Sequence, residues 1–208
     1  MAYINKNILY KRGMTLVELF VALAVFAVIM TAVYALGSNI FIYSSNTTGS
    51  YRATQNSQVI LKTILKELRE ASPGADGSYS LINTGSTTLS FFSDVDNDGL
   101  SERLTYSLVG STFYRAMIKP SGNPIGYSFA NQSTTTLIYD VINGNSLASF
   151  EYFDTNYTGT SSPLIQPVSP STVRLIRINQ RIDIDPNRSP IPIIFTVQAN
   201  LRNLKTNL

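Results

Sequence analysis

One acidic side chain, Glu18, sits near the start of an apolar run that extends from Met14 to Leu36, and it is the only formal charge in that run. As an α-helix rising about 1.5 Å per residue, the run spans roughly 35 Å. That is enough to cross a hydrocarbon core of about 30 Å. An ionisable group inside such a segment is costly and marks function by default. Lys6, Lys11 and Arg12 precede the run, so the positive-inside rule keeps the N-terminus in the cytoplasm and exports the rest. An ordinary secretory signal fits poorly, because its small-residue cleavage site follows a shorter apolar core. Here the small residue, Gly13, stands before the run, and a cut there removes the basic leader while leaving the anchor attached.

The segment Gly13-Met14-Thr15-Leu16-Val17-Glu18-Leu19, preceded by Lys11-Arg12, resembles the class III signal of type IV pilins and pseudopilins. The resemblance implies that a membrane-embedded prepilin peptidase cuts between Gly13 and Met14 and methylates the new amine of Met14. It makes Glu18 the fifth residue of the mature chain. Where the family usually has Phe, this chain has Met14, which is more typical of minor members. The resemblance also implies that Glu18 serves assembly by meeting the N-terminal amine of a neighbouring subunit. The physics agrees: a buried cation and a buried anion about one helical turn apart are each best paired, and a staggered neighbour neutralises both. Pairing of Glu18 with its own amine is the other arrangement open to it. The helix dipole favours a carboxylate here in either case. The plain alternative to all of this is a signal-anchor helix with an unrelated glutamate.

The chain has 208 residues, 44% apolar and 14% charged, which suits one membrane helix and one exported domain. Its net charge of +3 arises from 16 basic and 13 acidic side chains. Loss of Lys6, Lys11 and Arg12 with the leader brings the two into balance, so no basic surface argues for nucleic acid. There is no cysteine and no histidine. This excludes disulfides, thiolate zinc sites and Ser-His or Cys-His nucleophile pairs. Catalysis by paired carboxylates stays open in principle, but no pair is marked, and the chain reads as a non-enzyme.

The expected fold class is α+β: a pilin-like fold in which a long N-terminal helix, its first half transmembrane, packs on an antiparallel β-sheet. The expected organisation is a leader over 1–13, a membrane or filament-core half-helix over 14–36, a second half over 37–71 and an exported β domain over 72–208. Ile60, Ile64 and Leu68 recur at four-residue spacing with Leu61 and Leu65 beside them, while Lys62, Lys66, Glu67, Arg69 and Glu70 fall on the other face. Ser72-Pro73-Gly74 stops the helix. Strands are expected at 88–92, 103–109, 112–118, 137–142, 147–153, 173–184 and 193–201, with a bulge or break near Ile176. Loops are expected at 155–171 and 185–192. The helix end Leu65-Lys66-Glu67-Leu68-Arg69-Glu70-Ala71 and the closing Leu201-Arg202-Asn203-Leu204 give the layout a likeness to PilW-type minor pilins and J-type pseudopilins of type II secretion.

Between two expected strands lies Asp94-Val95-Asp96-Asn97-Asp98-Gly99-Leu100-Ser101-Glu102. Oxygen ligands at alternate positions, a glycine for a sharp turn and a further carboxylate are how a short loop wraps calcium. Asp94, Asp96, Asp98 and Glu102 would supply side chains, and Leu100 its carbonyl, in a structural role. The spacing is similar to calcium hairpins of β-propeller repeats. It departs from the EF-hand, whose twelfth position here is Thr105. The other reading is a solvated hairpin of Asx-turns, with Arg103 offsetting one of the repelling carboxylates. Arg174, Arg177 and Arg181 read as a solvated sheet face rather than a stripe for an anionic partner. The aromatic residues read as core packing.

The reading these residues favour is a minor pilin or pseudopilin, a structural subunit of a type IV pilus-like or type II secretion filament. Its expected partners are prepilin peptidase, other pilins or pseudopilins, and the cytoplasmic membrane, with no nucleic acid. The alternatives are a major pilin, a calcium-dependent adhesion module displayed on a filament, and a membrane-anchored exported enzyme.

Overall fold

The computed structural model describes residues 13–144, 146–183 and 192–201, and for 39–54 the helical backbone alone. The leader residues Lys6, Lys11 and Arg12, most of the expected 185–192 loop and the chain after Leu201 lie outside the described residues. The chain divides into two compact units, Met1–Asn46 and Thr47–Leu208.

Helix α1 (Leu16–Arg69) is continuous over 54 residues and passes through both units. It starts two residues after the expected Met14 and stops two before Ala71. In the first unit, Leu16–Ser38 is long and apolar enough to cross a membrane, and its large apolar side chains, such as Phe20, Leu23, Phe26 and Val33, are exposed. The hydroxyls of Thr31 and Ser38 donate to the carbonyls of Val28 at 2.8 Å and Ala35 at 3.0 Å. They thereby meet the need of polar groups in lipid for partners within the segment.

In the second unit the helix buries Ser57, Leu61, Ile64 and Leu68, and Ala71 is buried just past its end. This stripe alternates steps of four and three residues, the spacing of one helix face. Glu67 departs from expectation. Instead of joining the polar face it is buried at 7% exposure, accepts a hydrogen bond from the Tyr106 hydroxyl and pairs with Arg115 at 2.9 Å. Arg115 Nε also donates to the Tyr106 oxygen at 3.1 Å, so the buried carboxylate is compensated from two neighbouring strands. Burial and then the Glu67 charge raise the Tyr106 phenol well above its usual range.

Among the described residues the β structure is antiparallel throughout, as expected, but forms two sheets rather than one. The first joins β1 (Leu81–Thr84), β2 (Thr88–Ser93), β3 (Glu102–Val109), β4 (Thr112–Ile118) and β5 (Ser133–Ile138) in sequence order. The second joins β6 (Phe150–Phe153), β7 (Leu175–Ile182) and β8 (Ile193–Asn200). The expected 137–142 strand is displaced to β5. Its Ser- and Thr-rich start reads as a turn but pairs along β4, Thr134 with Ala116 and Thr135 with Arg115.

Strand β7 carries no break. Its register against β8 runs unshifted from Leu175↔Asn200 to Ile182↔Ile193. Ile176, Ile178, Gln180 and Ile182 are all buried at alternate positions. The apparent change of phase lies at the start of the strand, where the neighbours Leu175 and Ile176 are both buried, and Gln180 holds a core-face position between Ile178 and Ile182. The two sheets share one core with the helix stripe. An aromatic file links them: Phe91, Tyr106, Phe113 and Phe150 stand with successive ring centroids 6.0 Å apart.

Two outcomes follow for stability, read by thermal unfolding of the chain in detergent micelles. Glu67→Ala leaves Arg115 inside without its counter-ion and lowers stability by about 3 kcal/mol. Gln180 is fully buried with neither amide atom hydrogen-bonded, so the near-isosteric Gln180→Met raises stability by about 1–2 kcal/mol.

Candidate functional site

Thr15 stands immediately before the first residue of α1. Its backbone N–H and its hydroxyl donate to Glu18 Oε2 at 2.9 and 3.1 Å, and the Glu18 N–H donates to Thr15 Oγ1 at 3.2 Å. This reciprocal arrangement is a capping box, in which residues three apart satisfy each other's orphan donors at a helix start. Thr15 was missing from the residues singled out in the sequence, although Thr15-Leu16-Val17-Glu18 spells the Thr-x-x-Glu signature. The box fixes the Glu18 carboxylate beside the Thr15 N–H, one residue from the Met14 nitrogen. Its other oxygen, Oε1, takes no part in these bonds. Gly13 and Met14 precede the helix and are exposed. A Cβ added at Gly13 would meet nothing within 4 Å among the described residues.

The acidic segment forms the turn between β2 and β3, whose register ends at Ser93↔Glu102. Asn97 and Gly99 take positive φ values, 60° and 88°, the region that glycine enters without steric cost. Asp94 accepts the Asp98 N–H at 3.2 Å and the Gly99 N–H at 3.0 Å through its two oxygens. Asp98 accepts the Leu100 N–H at 2.8 Å, an Asx-type bond that keeps its carboxylate on its own turn. Of the four expected side-chain ligands, the fold gathers three. One carboxylate oxygen from each of Asp94, Asp96 and Glu102 lies within 4.8 Å of the other two. Asp98 is outside this group.

Two further groups depart from expectation. Arg103 forms no ion pair with the hairpin among the described residues; its guanidinium lies over the Phe129 ring at 4.9 Å. Lys119, just beyond β4, pairs with Asp96 instead. That hydrogen bond holds the Asp96 carboxyl below its usual range. Glu102 is fully buried. Its Oε2 accepts the Val95 N–H at 3.0 Å, while Oε1 has no partner. Burial raises the Glu102 carboxyl above its usual range, and the Asp96 and Asp98 charges add to the rise.

The expected arginine face is only partly solvated. Arg177 pairs with Glu151 at 3.2 Å, lies over the Phe153 ring at 4.6 Å and donates to the Tyr157 hydroxyl at 2.9 Å. It is a packed structural cation, not one free for an anionic partner.

Comparison with known families places one match on the chain. The model of the prokaryotic N-terminal methylation motif matches residues 9–34. No curated protein matches the chain. The matched span contains Gly13, Met14, the capping box and most of the exposed apolar helix, so the chain carries a class III prepilin signal. A type IV pilin-like identity is consistent with that signal and with the α+β architecture.

A pH effect follows from Glu102. Because its carboxyl titrates higher in the folded than in the unfolded chain, the folded state holds the extra proton between those two values. Stability therefore falls as pH rises through the window just above the ordinary carboxyl range. In chelator-treated protein, Glu102→Gln flattens this part of the profile of melting temperature against pH.

Proposed function

We propose that the chain is a minor pilin or pseudopilin, a non-enzymatic building block of a type IV pilus-like or type II secretion filament. The observation that carries this reading is the coincidence of the methylation motif with a capped carboxylate at the head of an exposed, membrane-length helix. In this reading prepilin peptidase cuts between Gly13 and Met14 and methylates the Met14 amine. The exposure of Gly13 and Met14, which precede the helix, supports access for that enzyme.

Cleavage creates an ammonium on Met14 beside a carboxylate that the Thr15 bonds hold in place. Glu18 Oε2 is engaged in the box, and Oε1 is left to receive the amine of an adjacent subunit. A lone charge in apolar surroundings is costly, and pairing removes the cost for both partners. The pairing is met only when neighbours are displaced by about one helical turn, so it selects one assembly register over slipped ones. The subunit is anchored in the cytoplasmic membrane with its N-terminus inside before it enters the filament, in keeping with the basic leader. The methionine at the mature first position favours a minor rather than a bulk subunit.

The processing half of this reading is tested by mass spectrometry of the intact protein from cells that contain a prepilin peptidase. The expected mass lacks Met1 to Gly13 and carries one methyl group on Met14. A chain that keeps its leader there contradicts the assignment.

A further inference from the structure

The hairpin between β2 and β3 holds a buried oxygen that the fold itself leaves without a partner. Glu102 is 0% exposed. One of its oxygens accepts the Val95 N–H, and the other, Oε1, has no donor. Directly across the ladder, Ser93 pairs in register with Glu102, and its hydroxyl is also buried and unpartnered. Unmatched buried polar atoms are rare, and each calls for an explanation, of which a bound ion or water is one. The same place gathers the carboxylates of Asp94 and Asp96.

We propose that this hairpin is a calcium site built from Asp94, Asp96 and Glu102. Calcium takes oxygen ligands at about 2.3–2.6 Å, so two oxygens on one ion lie at most about 5 Å apart. The three carboxylate oxygens, mutually within 4.8 Å, fit inside one such sphere. Hard, all-oxygen donors in a pliant loop suit calcium better than zinc, which prefers nitrogen and sulfur. Magnesium demands a tighter octahedron at about 2.0–2.1 Å and gives up its waters reluctantly.

Lys119 is the internal competitor. Its single ammonium pairs with Asp96 at the exposed rim and leaves Glu102 Oε1 unmatched. It neutralises one of the three carboxylates and not the buried one. Calcium binding draws Asp96 from Lys119 and satisfies Glu102, which ties the hairpin to the start of β3. The site is independent of Glu18 and of the filament reading.

The test is equilibrium dialysis of the full chain in detergent micelles, freed of metal, against radiolabelled calcium. One ion per chain is expected, with a dissociation constant of about 10⁻⁴–10⁻³ M, the range of extracellular calcium modules. Magnesium at the same concentration does not displace it. Glu102→Gln keeps an acceptor for the Val95 N–H but removes the charge, and weakens binding about tenfold or more, with circular dichroism checking that the variant folds. Lys119→Gln removes the competitor and tightens binding. Absence of stoichiometric binding, binding that Glu102→Gln leaves unchanged, or binding that Lys119→Gln fails to tighten overturns the proposal and leaves the buried oxygens to water.

Discussion

A carboxylate at the head of an apolar helix is the constraint on which the rest of the molecule depends. Glu18 lies in a segment that otherwise suits hydrocarbon, where an ionised group must be matched or must stay near the boundary. The chain solves half of the problem internally. Thr15 gives two donors to Oε2, and together they close the helix start. The remaining half, a counter-charge for Oε1, is what the proposed filament supplies. The local structure therefore does two things with one residue: it begins the helix and holds at a fixed place a charge with no ion-pair partner among the described residues.

The same helix carries a second carboxylate that shows the opposite solution. Glu67 turns into the core of the second unit, where Tyr106 and Arg115 compensate it from adjacent strands. Its charge is spent on joining helix to sheet, and a buried pair of this kind specifies one docking arrangement more than it adds stability. Around it the stripe of Leu61, Ile64 and Leu68 and the aromatic file from Phe91 to Phe150 bury the apolar faces of both sheets. In the proposed filament, satisfying one carboxylate within the chain and offering the other to a neighbour would separate the residues that hold the subunit together from those that join subunits.

Much of this was legible in the sequence because it is local. The apolar run, the stop at Ser72-Pro73-Gly74 and the strands from Thr88 to Ile118 follow from periodicity and turn chemistry. What was not legible depends on long-range pairing. Glu67 looks like a surface residue until Arg115 arrives across 48 positions. Ile176 looks like a bulge or break until the unshifted register with β8 runs through it and carries Gln180 onto the core face. The short β1 and the Ser/Thr-rich β5 have weak strand signals and exist because β2 and β4 offer edges. The division into two sheets has no sequence signal of its own. At the hairpin, Asp94, Asp96 and Glu102 were readable from their spacing. The loss of Asp98 to the Leu100 N–H and the arrival of Lys119 were not. The capping box is legible in the Thr15-Leu16-Val17-Glu18 signature itself, because both of its partners lie within one helical turn.

The central claim is that Glu18 joins subunits by meeting a neighbour's N-terminal amine. The most direct measurement is the fraction of Glu18→Gln subunit recovered in sheared filaments when it is expressed in cells that assemble them, normalised to the processed subunit in the membrane. Glutamine keeps the shape and an acceptor for the Thr15 bonds while deleting the charge. The account predicts that the variant is cleaved and accumulates in the membrane but falls to background in the filament fraction. Incorporation at the level of the unaltered chain would contradict it.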